Sequence, residues 1–164
     1  MIFNIKIKLY FKMEIEIKNN SRYQIIAHYI KDLSFEIPSS ESFVNAAQNL
    51  DKYEAKIDIS NKPLKNGMLE LNCKIFFEAP KEIIDKIHAE ICMAIIFKII
   101  DTQLNSEEIK RIILAEIPDL YGKKMIDLIT DLFHKSGFKE FKFKKDINFA
   151  ELYGQQFSNL KQKN

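Results

Sequence analysis

From Tyr23 to about Ile100 the chain repeatedly alternates apolar and polar residues, and this period of two constrains its fold more than any other feature. Successive side chains of a β-strand point to opposite faces, so the alternation describes an antiparallel sheet with one covered and one open face. The clearest case sets Leu69, Leu71, Cys73, Ile75 and Phe77 against Glu70, Asn72, Lys74 and Glu78. Ala55, Ile57 and Ile59 alternate with Lys56, Asp58 and Ser60, and Leu33, Phe35 and Ile37 alternate with Asp32, Ser34 and Glu36. The stretch "KEIIDKIHAEICMAIIFKII" (81–100) could place Ile83, Ile84, Ile87, Ile91 and Ile95 on a helix, but its richness in β-branched residues favours a strand.

The C-terminal third changes period. Asn105 with Glu108 three residues on has the form of a capping box, followed by Ile109, Ile112 and Ile113 on one face. Pro118 should interrupt that helix, and a second stripe through Met125, Ile126, Ile129, Leu132 and Phe133 runs to Gly137, a C-cap residue. After the link "FKEFKFKKD", Asn148 and Glu151 open a last amphipathic helix through Phe149, Leu152, Tyr153, Phe157 and Leu160. Strands followed by helices make an α+β domain: a four-stranded antiparallel sheet and C-terminal helices.

The N-terminal segment alternates too, with Phe3, Ile5, Ile7, Leu9, Phe11, Met13, Ile15 and Ile17 on one side. Residues 1–22 therefore read as an N-terminal extension or an extra strand ahead of a domain at 23–164, and Met13 offers an alternative start. The segment has no continuous apolar centre of the kind a signal peptide needs. The longest apolar run, Ile91 to Ile100, contains Lys98 and is far shorter than a bilayer span, so no direct membrane insertion is expected.

The net charge of +2 is too small for a general attraction to nucleic acid or anionic lipid. Cys73 and Cys92 lack metal-ligand or redox spacing and read as buried reduced thiols, in keeping with a cytoplasmic protein. His28, His88 and His134 are scattered, and the four glycines stand too far apart for a phosphate loop, so neither metal, cofactor nor enzyme chemistry is expected. Phe138, Phe141 and Phe143 interleave with Lys139, Lys142, Lys144 and Lys145, a pattern that could stack single-stranded nucleic acid. An extended connector with its phenylalanines turned inward explains the same residues, and Glu140 among them favours that reading. Thirteen phenylalanines and six tyrosines on a sheet with few covering helices point instead to apolar surface used in a groove or in self-association.

Three phrases, taken in order, resemble the SecB family of bacterial protein-export chaperones. "YIKDLSFEIP" (29–38) is similar to that family's first-strand phrase Y-x-K-D-[IV]-S-F-E-x-P. "IPDLYGKKMIDLITDLFHKSGF" (117–138) resembles its Pro-Asn helix start, with Asp119 in place of Asn, and "INFAELYGQQF" (147–157) its V-N-F-x-x-L-[FY] opening of the last helix. "EICMAIIF" (90–97) stands where the family has Glu followed by Gly-Gly-Ile-Phe, with Ala94 and Ile95 replacing the glycines, and Gly122 to Ile126 replace F-P-Y-A-R.

The resemblance implies a homotetramer, a dimer of dimers, that holds unfolded preproteins in apolar grooves without ATP and passes them to the motor SecA. It further implies SecA docking by Asp32, Ser34, Glu36 and Glu90; acids at i and i+4 on one strand project from the same face about 13 Å apart, suiting a basic partner. Client contact is expected at Phe76, Ile96 and Phe97, where apolar residues occupy both faces. A chaperone dedicated to one client such as an antitoxin, or a nucleic-acid module using the Phe/Lys connector, stand as alternatives. The chain is slightly basic where the family is usually acidic.

Overall fold

The computed structural model describes residues 18–143 and 147–154. Four long strands form an antiparallel sheet: β2 (Tyr23–Glu36), β3 (Glu54–Pro63), β4 (Leu69–Glu78) and β5 (His88–Ile99). A two-residue strand, β1 (Lys18–Asn19), adds to the edge beside β2, giving the order β1-β2-β5-β4-β3. Most of the alternating N-terminal segment, residues 1–17, lies outside the described residues.

The segment whose β-branched residues favoured a strand over a helix does form one, β5, at the centre of the sheet. Its partners explain why it is apolar almost throughout: Ala89, Ile91, Met93, Ile95 and Phe97 are buried between flanking strands and under the helices. Leu71, Cys73 and Ile75 of β4 continue the same covered face.

One helix has no counterpart in the sequence reading. α1 (Ser40–Asn49) crosses from β2 to β3, capped where the Ser42 N–H donates to Ser39 Oγ at 3.1 Å. It buries little besides Ala46 and Ser42, so its apolar stripe is too narrow to stand out against the strand pattern on either side.

α2 (Ser106–Arg111) begins with the expected capping box at Asn105 and Glu108. Pro118 does not interrupt the helical run. A π-helical turn, Ile112–Glu116, leads directly into α3 (Ile117–Lys135), and Pro118 sits in the first turn of α3, where its missing N–H matters least. The bidentate ion pair from Arg22 to Glu116, at 3.1 and 2.7 Å, ties this turn to the start of β2. Ile112, Ile117, Met125, Ile129 and Phe133 close the core over β4 and β5.

Gly137, at φ +104°, ends α3 in the backbone region that favours glycine. The last helix opens at 149, where the Glu151 N–H donates to Asn148 Oδ1 at 2.9 Å. Phe149 is buried with its ring over Gly122 of α3, and an added Cβ there would stand 2.6 Å from Phe149 Cε2. Phe157 and Leu160, expected on this helix, and Lys144 and Lys145 of the connector lie outside the described residues. Among the described residues no helix is long and apolar enough to cross a membrane.

Candidate functional site

Two regions carry features a packed core does not need. The first is the open sheet face. Asp32, Ser34 and Glu36 pair in register with Cys92, Glu90 and His88, so they share one face while Leu33 and Phe35 turn to the helix side. Leu33 is nonetheless 42% exposed and Ile30, three residues before it, 43%, because the helices cover β4 and β5 more fully than this part of β2.

On this face the carboxylates differ. Asp32 and Glu36 are exposed. Glu90 lies 2.8 Å from Lys74 Nζ and 3.4 Å from His88 Nε2, and Lys74 holds its carboxyl below the usual range. The Lys74 ammonium also stands 5.6 Å from the Phe76 ring centre. Farther along, Glu70 accepts hydrogen bonds from Lys31 at 2.6 Å and from the Tyr29 hydroxyl at 3.1 Å, and pairs with Lys62 at 3.2 Å. Lys31 is the main cause of a Glu70 carboxyl lowered to about 2, against the opposing effect of burial.

Of the three residues expected to contact clients, Phe76 and Ile96 are half-buried on this open face. Phe97 is a correction. It is 0% exposed on the helix-covered face, paired with Ile25 and Leu69, and belongs to the core. A strand apolar on both faces gave no means of telling which side the helices would cover.

The second region is a cleft of about 600 Å3 at the end of the helix layer. The end of α1 and the turn into β3 supply one wall: Ala47, Leu50, Asp51, Tyr53 and Ala55. Phe77 of β4 and the connector 137–143 supply the rest. The aromatic wall is a connected set. Phe141 stacks on Phe133 with ring centres 3.9 Å apart and planes 15° apart, and Phe77 meets Phe133, Phe141 and Phe143 at 5.1, 5.7 and 5.7 Å. Tyr53 keeps its hydroxyl in place by accepting from the Ile87 N–H at 3.3 Å.

Phe138 and Phe141 therefore turn inward, as the connector reading expected, while Lys139 is exposed to solvent. Phe138 is buried and Phe141 is half-buried with its ring stacked on Phe133, so these two rings do not form the exposed stacking platform a nucleic-acid reading requires. The sequence reading missed the cleft, because its walls come from α1, β4 and the connector, three segments far apart in the chain. The signal available was the spacing of Phe138, Phe141 and Phe143, which placed rings on one side of an extended segment without saying what they would face.

The sequence model of the family described as preprotein translocase subunit SecB matches residues 16–160. The chain belongs to the SecB family. A putative protein-export protein SecB of Pelagibacter ubique (strain HTCC1062) is 34% identical over 134 residues, spanning 82% of this chain and 96% of the relative. The protein-export protein SecB of Rhodospirillum centenum is 25% identical over 133 residues, covering 81% of this chain and 78% of its own. Among solved structures, the SecB-like chaperone Rv1957 of Mycobacterium tuberculosis, in complex with a ChAD peptide from the HigA1 antitoxin, superposes with a TM-score of 0.56 at 9% identity. That likeness covers 78% of this chain and 89% of the other, and it supports the fold. The SecB family is one of protein-export chaperones, not enzymes, which agrees with the sequence-based expectation.

Proposed function

We propose that this SecB-family chain is an ATP-independent holdase that keeps unfolded preproteins export-competent in the cytoplasm and hands them to SecA. The aromatic cleft carries the reading. Its volume suits roughly three or four apolar side chains of an extended segment, and burying them is worth about 25 cal/mol per Å2 whatever their order. Such a site favours breadth over sequence specificity, which is what a holdase needs.

The SecA surface in this reading is the open face, and its residues divide by exposure. Asp32 and Glu36 offer exposed carboxylates to a basic partner, with Ser34 between them. Glu90 is already engaged by Lys74 and contributes less. The exposed Ile30 and Leu33 supply apolar surface of the kind a homotetramer would cover.

The purified protein should suppress aggregation of an unfolded preprotein at stoichiometric concentration; no suppression would end the holdase reading. The double variant Asp32→Ala, Glu36→Ala should weaken SecA binding about tenfold with client holding and melting temperature nearly unchanged. Loss of the fold instead would assign these acids to structure.

A single dedicated client, such as an antitoxin segment, is the second reading, favoured by the engagement of Glu90 with Lys74, which thins the acidic face. A pull-down yielding one dominant client and no SecA would select it.

A further inference from the structure

We infer that His134 is a latch on the cleft: its hydrogen bond to the Phe141 carbonyl holds the connector 138–143 as a closed wall, and its release sets how fast client segments enter and leave. The inference rests on the cleft being the client site and concerns its regulation.

The connector is built like a strap with one hinge and one fastening. Gly137 at φ +104° turns the chain out of α3, and an added Cβ would press against the Phe43 ring at 3.0 Å, so the turn depends on glycine. Phe138 anchors the near end, buried, with its N–H donating to the Phe133 carbonyl at 3.0 Å. Phe141 closes the cleft by two contacts to α3: its ring stacks on Phe133, and its carbonyl lies 2.8 Å from His134 Nε2.

The ring contact alone does not fix the strap, because an apolar client can replace Phe141 against Phe133 with no loss of apolar burial. The hydrogen bond is different. Nothing apolar replaces it, so it selects the closed wall in the absence of client. The bond requires the proton on Nε2, and His134 is exposed on the last turn of α3, outside the cleft, where a client does not compete for it directly. A cleft of about 600 Å3 takes only a few side chains, so a longer client segment must displace this wall.

The test compares wild type, His134→Ala and His134→Gln as full chains. Gln places an amide N–H near the position of Nε2 and should preserve the latch. In the free protein, amide hydrogen exchange at Phe141, whose N–H donates to the Phe138 carbonyl, should speed up about fivefold in H134A and little in H134Q, the worth of one neutral hydrogen bond. Exchange at Phe138, the buried anchor whose N–H is bonded to the Phe133 carbonyl, should stay near wild type. Stopped-flow binding of a fluorescein-labelled twelve-residue peptide rich in Leu and Phe should show association and dissociation both faster by a similar factor in H134A, with Kd moved less. Unchanged exchange at Phe141 in H134A overturns the latch. Faster exchange with unchanged peptide kinetics overturns its role as a gate. A wild-type protein that binds no such peptide overturns the client site itself, while the exchange result still judges the latch.

Discussion

Glu70 makes the charged sheet face testable as a source of stability. Its side chain is almost fully covered on the open face, between Lys31, Lys62 and Tyr29, and its carboxyl lies at about 2 instead of the ordinary 4.5. A shift of that size corresponds to about 3 kcal/mol without screening. Both lysines reach solvent, so a screened contribution of about 1–2 kcal/mol is the better expectation. The folded-state value is depressed, so the stabilisation is complete above the unfolded value near 4.5 and is lost as pH falls toward 2. Glu70→Gln should therefore be less stable than wild type by about 1–2 kcal/mol at pH 7 in urea unfolding followed by circular dichroism. Protein concentration must be held fixed, since any assembly would add its own term. Below about pH 4.5 the gap should narrow, with more than half of it gone by about pH 3. The other carboxylates titrate in both proteins and cancel in the difference. A gap that stays constant from pH 7 to pH 3 would show that Glu70 contributes shape and not charge, and the argument from its depressed carboxyl would fail.

Two further perturbations probe the core and its last helix. Gly122→Ala gains about 1 kcal/mol of helix propensity but drives a methyl into Phe149, an overpacking cost of about 1–3 kcal/mol. The variant should be destabilised overall and cleaved more readily by protease around 147–154; a stabilised protein would mean that the ring moves aside freely. Burial pushes the Cys73 thiol up to about 12, whereas Cys92 is partly exposed, its thiol raised by burial and lowered by Lys31 and Lys74. Ellman's reagent at pH 8 should thus modify one thiol in the native protein and the second only on unfolding, and simultaneous reaction of both would contradict the burial of Cys73.

What was legible in the sequence follows from how local each signal is. Leu69 to Glu78 of β4 and Leu33 to Glu36 of β2 could be assigned to faces because alternation is a property of adjacent residues. The capping box at Asn105 and the glycine at 137 were readable for the same reason. α1 was not, since only Ala46 and Ser42 are buried on it and its apolar stripe is too narrow to stand out. Pro118 misled because a proline inside an apolar stripe ordinarily breaks a helix, and the π turn before it absorbs the offset. Phe97 misled because a central strand is apolar on both sides, and which side is covered depends on where α3 crosses.

The cleft and the acidic face show why function was less legible than fold. Phe76 and Phe77 are neighbours in sequence, yet one stands beside Lys74 on the open face and the other lines the cleft. The same period of two that made the sheet readable would, in the proposed function, place client holding and motor docking on opposite sides of a shared strand. That arrangement would give the two activities separate surfaces, so that the acids could be removed without touching the rings. It would also leave them one short link, because Phe77, which packs on Phe141, shares the β4 backbone with Lys74 and Phe76, next to the ion pair with Glu90. Coupling between a filled cleft and the docking face would therefore run through β4, and it would be strongest at Glu90, the carboxylate tied to β4 by Lys74.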